Sequence, residues 1–97
     1  MKLADWRNEI DEIDAEIVRL LNRRSKAVRE VGILKAKANL PIVDLERERE
    51  ILLKACRLSD GELSDESLSG IFRKIIQESR ELQIQTKTAL LKQGIKK

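Results

Sequence analysis

Arg24 stands where the seven-residue steps from Ile10 to Ile17 and onward call for an apolar residue. Lys35, seven residues after Val28 and four after Val31, lies on the flank of the same stripe, and Arg7 follows Trp6 on its flank. Glu48 falls three residues after Leu45 and four before Leu52, on the apolar face of a second helical pattern. In a third pattern the series Leu68, Phe72, Ile75 runs into Ser79 before Leu82, and Gln83 follows Ile76 by seven and Ser79 by four. Each residue alone has an ordinary explanation. A long cationic side chain snorkels to water, a polar residue in a core position sets register or oligomeric state, and a serine bonds its own backbone. The set is harder to dismiss, because unpaired buried charge is strongly unfavourable and Glu48 can neutralise only one of the cations. The surplus is positive, which suggests a pocket for a small anion with more than one carboxylate.

The chemistry open to such a pocket is narrow. Histidine is absent, so the commonest general base is missing. Cys56, the sole cysteine, has no histidine partner and falls within an ordinary helical pattern, which argues against a nucleophilic thiol. No His/Cys cluster of metal-ligand spacing and no glycine-rich phosphate loop occurs. Covalent or metal-assisted reactions are therefore poorly served, and no cofactor or metal is expected. A reaction that needs only a held conformation and fixed charges is well served.

These residues must be carried by helices. Pro occurs once and Gly four times in 97 residues, Tyr is absent, and charged residues of both signs make up 38% of the chain. Few aromatics remain for a β-sheet core, and interspersed charge suits solvated helices. The expected fold class is all-α: one long N-terminal helix, one short helix and one medium-long helix. The first runs from about Leu3 to Ala38, with apolar positions at alternating steps of three and four from Leu3 through Trp6, Ile10, Ile13 and Ile17 to Leu34. Asn39-Leu40-Pro41 ends it. The second begins at Asp44, a good N-cap, and continues to about Leu58, before the turn at Ser59-Asp60-Gly61. Ser64 or Asp65 caps the third, which frays near Gly94 and leaves a basic tail, Lys96-Lys97.

A helix of about 35 residues is roughly 52 Å long, whereas a compact domain of this size is roughly 32 Å across. The first helix therefore overhangs any core that its own chain can build, and its apolar stripe would lie open. A second copy packed along it is the simplest remedy, so a homodimer is expected. The net charge of +3 is mild and lacks the interleaved aromatics of a nucleic-acid binder. No run approaches a membrane span, and the N-terminus shows no apolar signal segment. The lone cysteine suits a reducing compartment. No nucleic acid, no membrane and a cytoplasmic location are the expectations.

In order and spacing, these residues resemble the all-helical chorismate mutases from about Leu3 to Leu91. The signature runs through Arg7, Ile13-Asp14, Leu20-Leu21-Asn22-Arg23-Arg24 and Val31-Gly32 with Lys35. It continues through Pro41-Ile42-Val43-Asp44 with Arg47-Glu48, and closes with Phe72 through Ser79 and Gln83. The resemblance implies an intertwined homodimeric helical bundle with two active sites that rearranges chorismate, a dicarboxylate, to prephenate on the way to phenylalanine and tyrosine. It implies that Arg24 and Arg7 grip the two carboxylates, with Arg7 reaching in from the other protomer. Lys35 and Gln83 would donate to the ether oxygen, and Glu48, with backbone near Asp44, would hold the ring hydroxyl. Ser79 would support a carboxylate and Arg47 would line the site.

Two alternatives remain at this level. Isochorismate–pyruvate lyases resemble chorismate mutases but tend to lack acids of the Asp44 and Glu48 kind, which are present here. A helical interaction module would use Arg24 and Lys35 as register or solubility devices, but it leaves Glu48, Ser79 and Gln83 unexplained. The expected organisation is a single short-form, monofunctional domain over residues 1–97, with no room for a fused dehydratase, dehydrogenase or effector domain.

Overall fold

A computed structural model of the chain describes residues 1–94. It contains three helices, α1 (Leu3–Lys37), α2 (Leu45–Leu58) and α3 (Asp65–Lys92), and no strand among the described residues. The expected basic tail, Lys96-Lys97, lies outside them.

Local chemistry sets each boundary. At the start of α1 the Lys2 backbone N–H donates to the Asp5 carboxylate at 2.8 Å, placing an acid at the positive end of the helix dipole. At its end Asn39 turns left-handed, with φ 58°, as Asn does more readily than other side chains. The Leu40 N–H then reaches back to the Lys35 carbonyl at 2.8 Å and the Asn39 N–H to Ala36 at 3.3 Å, a Schellman closure. Pro41 follows and prevents the helix from resuming. Asp44 caps α2 by accepting from the Arg47 N–H at 3.0 Å, and Ser64 caps α3 by accepting from Ser67 at 3.0 Å. Between them Gly61, at φ 96°, takes the turn position that a side chain would strain.

The three helices do not make a compact body. α3 packs against both α1 and α2, but every residue of α1 up to Arg23 is exposed. The radius of gyration is 17.1 Å and the extents are 61 × 26 × 15 Å, against roughly 12.5 Å for the radius of a compact domain of this length. Accessible surface is 8035 Å², whereas a compact monomer of 11.2 kDa shows roughly 5,700 Å². Among the described residues few are buried: Gly32, Ala55, Ile76 and Gln83. Trp6, Ile10, Ile13, Ile17 and Leu20, the stripe read from the sequence, are all about half exposed.

Candidate active site

Two of the buried residues, Ile76 and Gln83, line the site. The C-terminal half of α1, the start of α2 and the middle of α3 enclose a cleft of about 370 Å³, within the range of small-molecule sites. Of the eight residues singled out above, the cleft brings together Arg24, Lys35, Asp44, Arg47, Glu48, Ser79 and Gln83. Arg7 is not among them. It lies seventeen residues before Arg24 on α1, roughly 25 Å along the helix axis, and is exposed. The floor is apolar, with Val28, Val31, Ile51 and Ile76 between the charges.

Arg24 and Ser79 face each other across α1 and α3. The Arg24 guanidinium donates to Ser79 Oγ at 2.6 Å, and the Ser79 hydroxyl donates in turn to the Ile75 carbonyl at 2.9 Å. That back-bond turns a lone pair of Oγ toward Arg24. Partial burial, and then the charge of Arg47, lower the Arg24 pKa from its ordinary value. The guanidinium stays charged, but it is held beside a second cation with no carboxylate within ion-pair distance among the described residues. An anion in the cleft would relieve that strain.

Lys35 projects from the last turn of α1, and its Nζ donates to the Ile42 carbonyl at 2.8 Å. The Schellman closure makes this contact possible, because it folds residues 40–43 back over the end of the helix. One of three ammonium donors is thereby used, which aims the others. Gln83 is 9% exposed and its Oε1 has no hydrogen-bond partner, an arrangement that costs stability unless something in the site completes it. Gln83 reaches this depth because α1 offers Gly32 opposite. A Cβ at residue 32 would stand 3.3 Å from Gln83 Cγ and 3.4 Å from its Cα. In the sequence Gly32 is a glycine inside a helical pattern and one residue of the family signature; across the interface it is what admits Gln83.

Sequence reasoning missed Arg80. Its Nε donates to Glu48 Oε2 at 2.7 Å while its second nitrogen pairs with Oε1. The hydrogen bond to Glu48 raises the Arg80 pKa, against a smaller opposing effect of desolvation and with a further contribution from the Glu48 charge. The available signal was its position four residues after Ile76 and three before Gln83, on the face that α3 turns to the cleft. Four cations and two carboxylates thus line the site. One carboxylate, Asp44, caps a helix and the other is held by Arg80, so Arg24 and Lys35 keep their charge free.

A three-helix protein with a cation-rich cleft between its helices is the class that this fold and site define. The chain belongs to the chorismate mutase type II family, whose model matches residues 6–84. Among curated proteins it is 46% identical over 94 residues to the bifunctional chorismate mutase/prephenate dehydratase of Aquifex aeolicus, covering 93% of this chain and 26% of that protein. It is 35% identical over 85 residues to the chorismate mutase of Methanocaldococcus jannaschii, covering 87% of this chain and 86% of that one. The chain therefore spans about a quarter of the length of the Aquifex relative, but most of the Methanocaldococcus one. The solved chorismate mutase of Thermus thermophilus, in its form II structure, superimposes with a TM-score of 0.83 at 32% identity, over 86% of this chain and 94% of that structure.

Proposed function

We propose that the chain is an isomerase that converts chorismate to prephenate in phenylalanine and tyrosine biosynthesis, as a homodimer and without a covalent intermediate. One observation carries this reading: in a chain of this family, Arg24 and Lys35 line a cleft with no carboxylate paired to either of them among the described residues. A dicarboxylate is the ligand that such a surplus fits.

The reaction is intramolecular. The ether C–O bond breaks as a new C–C bond forms, and no proton or leaving group enters or departs. The protein has two tasks. It must hold the enolpyruvyl side chain over the ring, which Arg24 and the partner's Arg7 would do by gripping the two carboxylates. Ser79 steadies Arg24 for that grip, and Arg47 borders the same cleft. The second task is to meet the negative charge that grows on the ether oxygen, and Lys35 and the Gln83 amide are the donors for it. Gln83 serves as a neutral amide, which donates at any pH. Glu48 would accept the ring hydroxyl, beside the backbone at Asp44. A millionfold acceleration requires about 8 kcal/mol, within the reach of positioning and electrostatics together.

The dimer is part of the proposal. Each chain exposes roughly 2,300 Å² beyond a compact monomer, an area of the size buried per chain in an obligate homodimer. The stripe from Trp6 to Leu20 supplies the apolar surface, and Arg7 rides on it. No helix among the described residues is long and apolar enough to cross a membrane. With a single free cysteine, this supports a cytoplasmic location.

Incubation of the purified chain with chorismate, with the product identified chromatographically, tests the reading. Prephenate is expected. Absence of turnover, with isochorismate instead yielding salicylate and pyruvate, would replace it by the lyase on the same fold.

A further inference from the structure

We propose that Arg80 is a positioning residue for the same reaction: its bidentate grip holds Glu48 aimed at the ring hydroxyl and keeps it off the cations reserved for the substrate carboxylates. This rests on the functional reading above and extends it to a residue that acts through Glu48.

The geometry favours a dedicated role over a surface ion pair. Lys74–Glu78 and Arg47–Glu50 are single contacts at 3.3 Å between side chains that are each at least 63% exposed. Arg80 and Glu48 instead join α3 to α2 across thirty-two residues, with both carboxylate oxygens engaged and the Glu48 side chain only 18% exposed. A planar guanidinium fork locks a carboxylate in its own plane, as a lysine cannot. It occupies one lone pair on each oxygen and leaves the other free. Glu48 can therefore still accept a hydroxyl, now from a fixed direction.

Charge sorting points the same way. Glu48 shares its cleft with Arg24, Lys35 and Arg47. A glutamate has enough rotatable bonds to swing toward a neighbouring cation, and in a part-buried site that attraction is strong. Each such excursion would quench a charge that the dianion needs. Arg80 removes the incentive by satisfying Glu48 first. It acts as an internal counter-ion, so that the site can hold a carboxylate for the hydroxyl and bare cations for the carboxylates side by side.

Steady-state kinetics of a double-mutant cycle on the intact dimer tests this. Arg80→Gln is expected to lower kcat/KM for chorismate on the order of tenfold to a hundredfold, mainly through KM, because a hydroxyl contact is held in ground and transition state alike. Glu48→Gln should fall by a comparable factor, and the double variant should be no worse than Glu48→Gln alone. Arg80→Lys should recover little of the loss, since a point charge does not reproduce the fork. Losses that multiply in the double variant, full recovery by lysine, or a loss that follows a fall in Tm would overturn the proposal and leave Arg80 as a tie between α2 and α3. Should Arg80→Gln fail to fold, Arg80→Lys carries the cycle with Glu48→Gln by the same criterion. A wild-type chain inert toward chorismate would instead sink the functional reading itself, a separate outcome.

Discussion

The two halves of α1 share one helix and one apolar rhythm, yet they meet opposite fates. From Arg24 to Lys37 the helix lies against α3 and the returning loop, and Arg24 and Lys35 find partners in Ser79 and the Ile42 carbonyl. From Leu3 to Arg23 every residue is exposed, including the whole apolar stripe. The difference shows where a single chain runs short of itself. α3 is long enough to pack against half of α1, and α2, held on α3, closes the cleft there. The uncovered half carries Arg7, the one expected ligand that the cleft of a single chain does not contain.

Substitutions should have their largest effect in the uncovered half. For a monomer, Ile13→Glu together with Ile17→Glu would be a surface change of little consequence. If the stripe is a dimer seam, each buried glutamate costs about 3 kcal/mol or more. The pair should then dissociate the protein and abolish turnover, although neither residue lines the cleft. Sedimentation velocity and circular dichroism would record the dissociation, and a fully active dimer would remove the distinction between the halves.

In the covered half, Lys35→Ala separates chemistry from assembly. Loss of one donor to developing charge costs on the order of a hundredfold to a thousandfold in kcat, and with Gln83 unaided turnover should nearly vanish. Size-exclusion chromatography should still show a folded dimer. Normal turnover in this variant would sink the assignment of Lys35 to the ether oxygen.

A smaller effect should come from Gly32→Ala, which tests the covered half through packing alone. Alanine gains about 1 kcal/mol of helix propensity, but its Cβ crowds Gln83, and overpacking costs about 1–3 kcal/mol. The net change in Tm should be a few degrees downward, with kcat lowered severalfold as Gln83 is displaced. An increase in both Tm and kcat would show that the close approach of α1 and α3 is not needed.

Much of the fold is legible along the chain because its causes are local. Asp44 and Ser64 cap α2 and α3 through N–H groups three residues on, and Asn39-Leu40-Pro41 stops α1 by a turn closed within six residues. Five of the seven cleft-lining candidates, Arg24, Lys35, Glu48, Ser79 and Gln83, announce themselves as polar residues interrupting apolar faces, whereas Asp44 and Arg47 enter the site only through the family resemblance. Arg80 gives a weaker signal, its place four residues after Ile76 and three before Gln83. Among so many interspersed charges it reads as one more solvated arginine, and its partner is thirty-two residues away on another helix. Gly32 is likewise a weakness of α1 until Gln83 is seen against it.

Helix number, length, ends and faces follow from the sequence by itself, since a 3.6-residue period and a cap involve only neighbouring residues. Which polar residue meets which was decided by the tertiary structure alone. The Arg24–Ser79 and Glu48–Arg80 contacts depend on how far one helix slides and rolls against another. A single turn of sliding moves a side chain by about 5.4 Å, more than the length of any hydrogen bond in the cleft, so no reading of one helix at a time could fix those pairs.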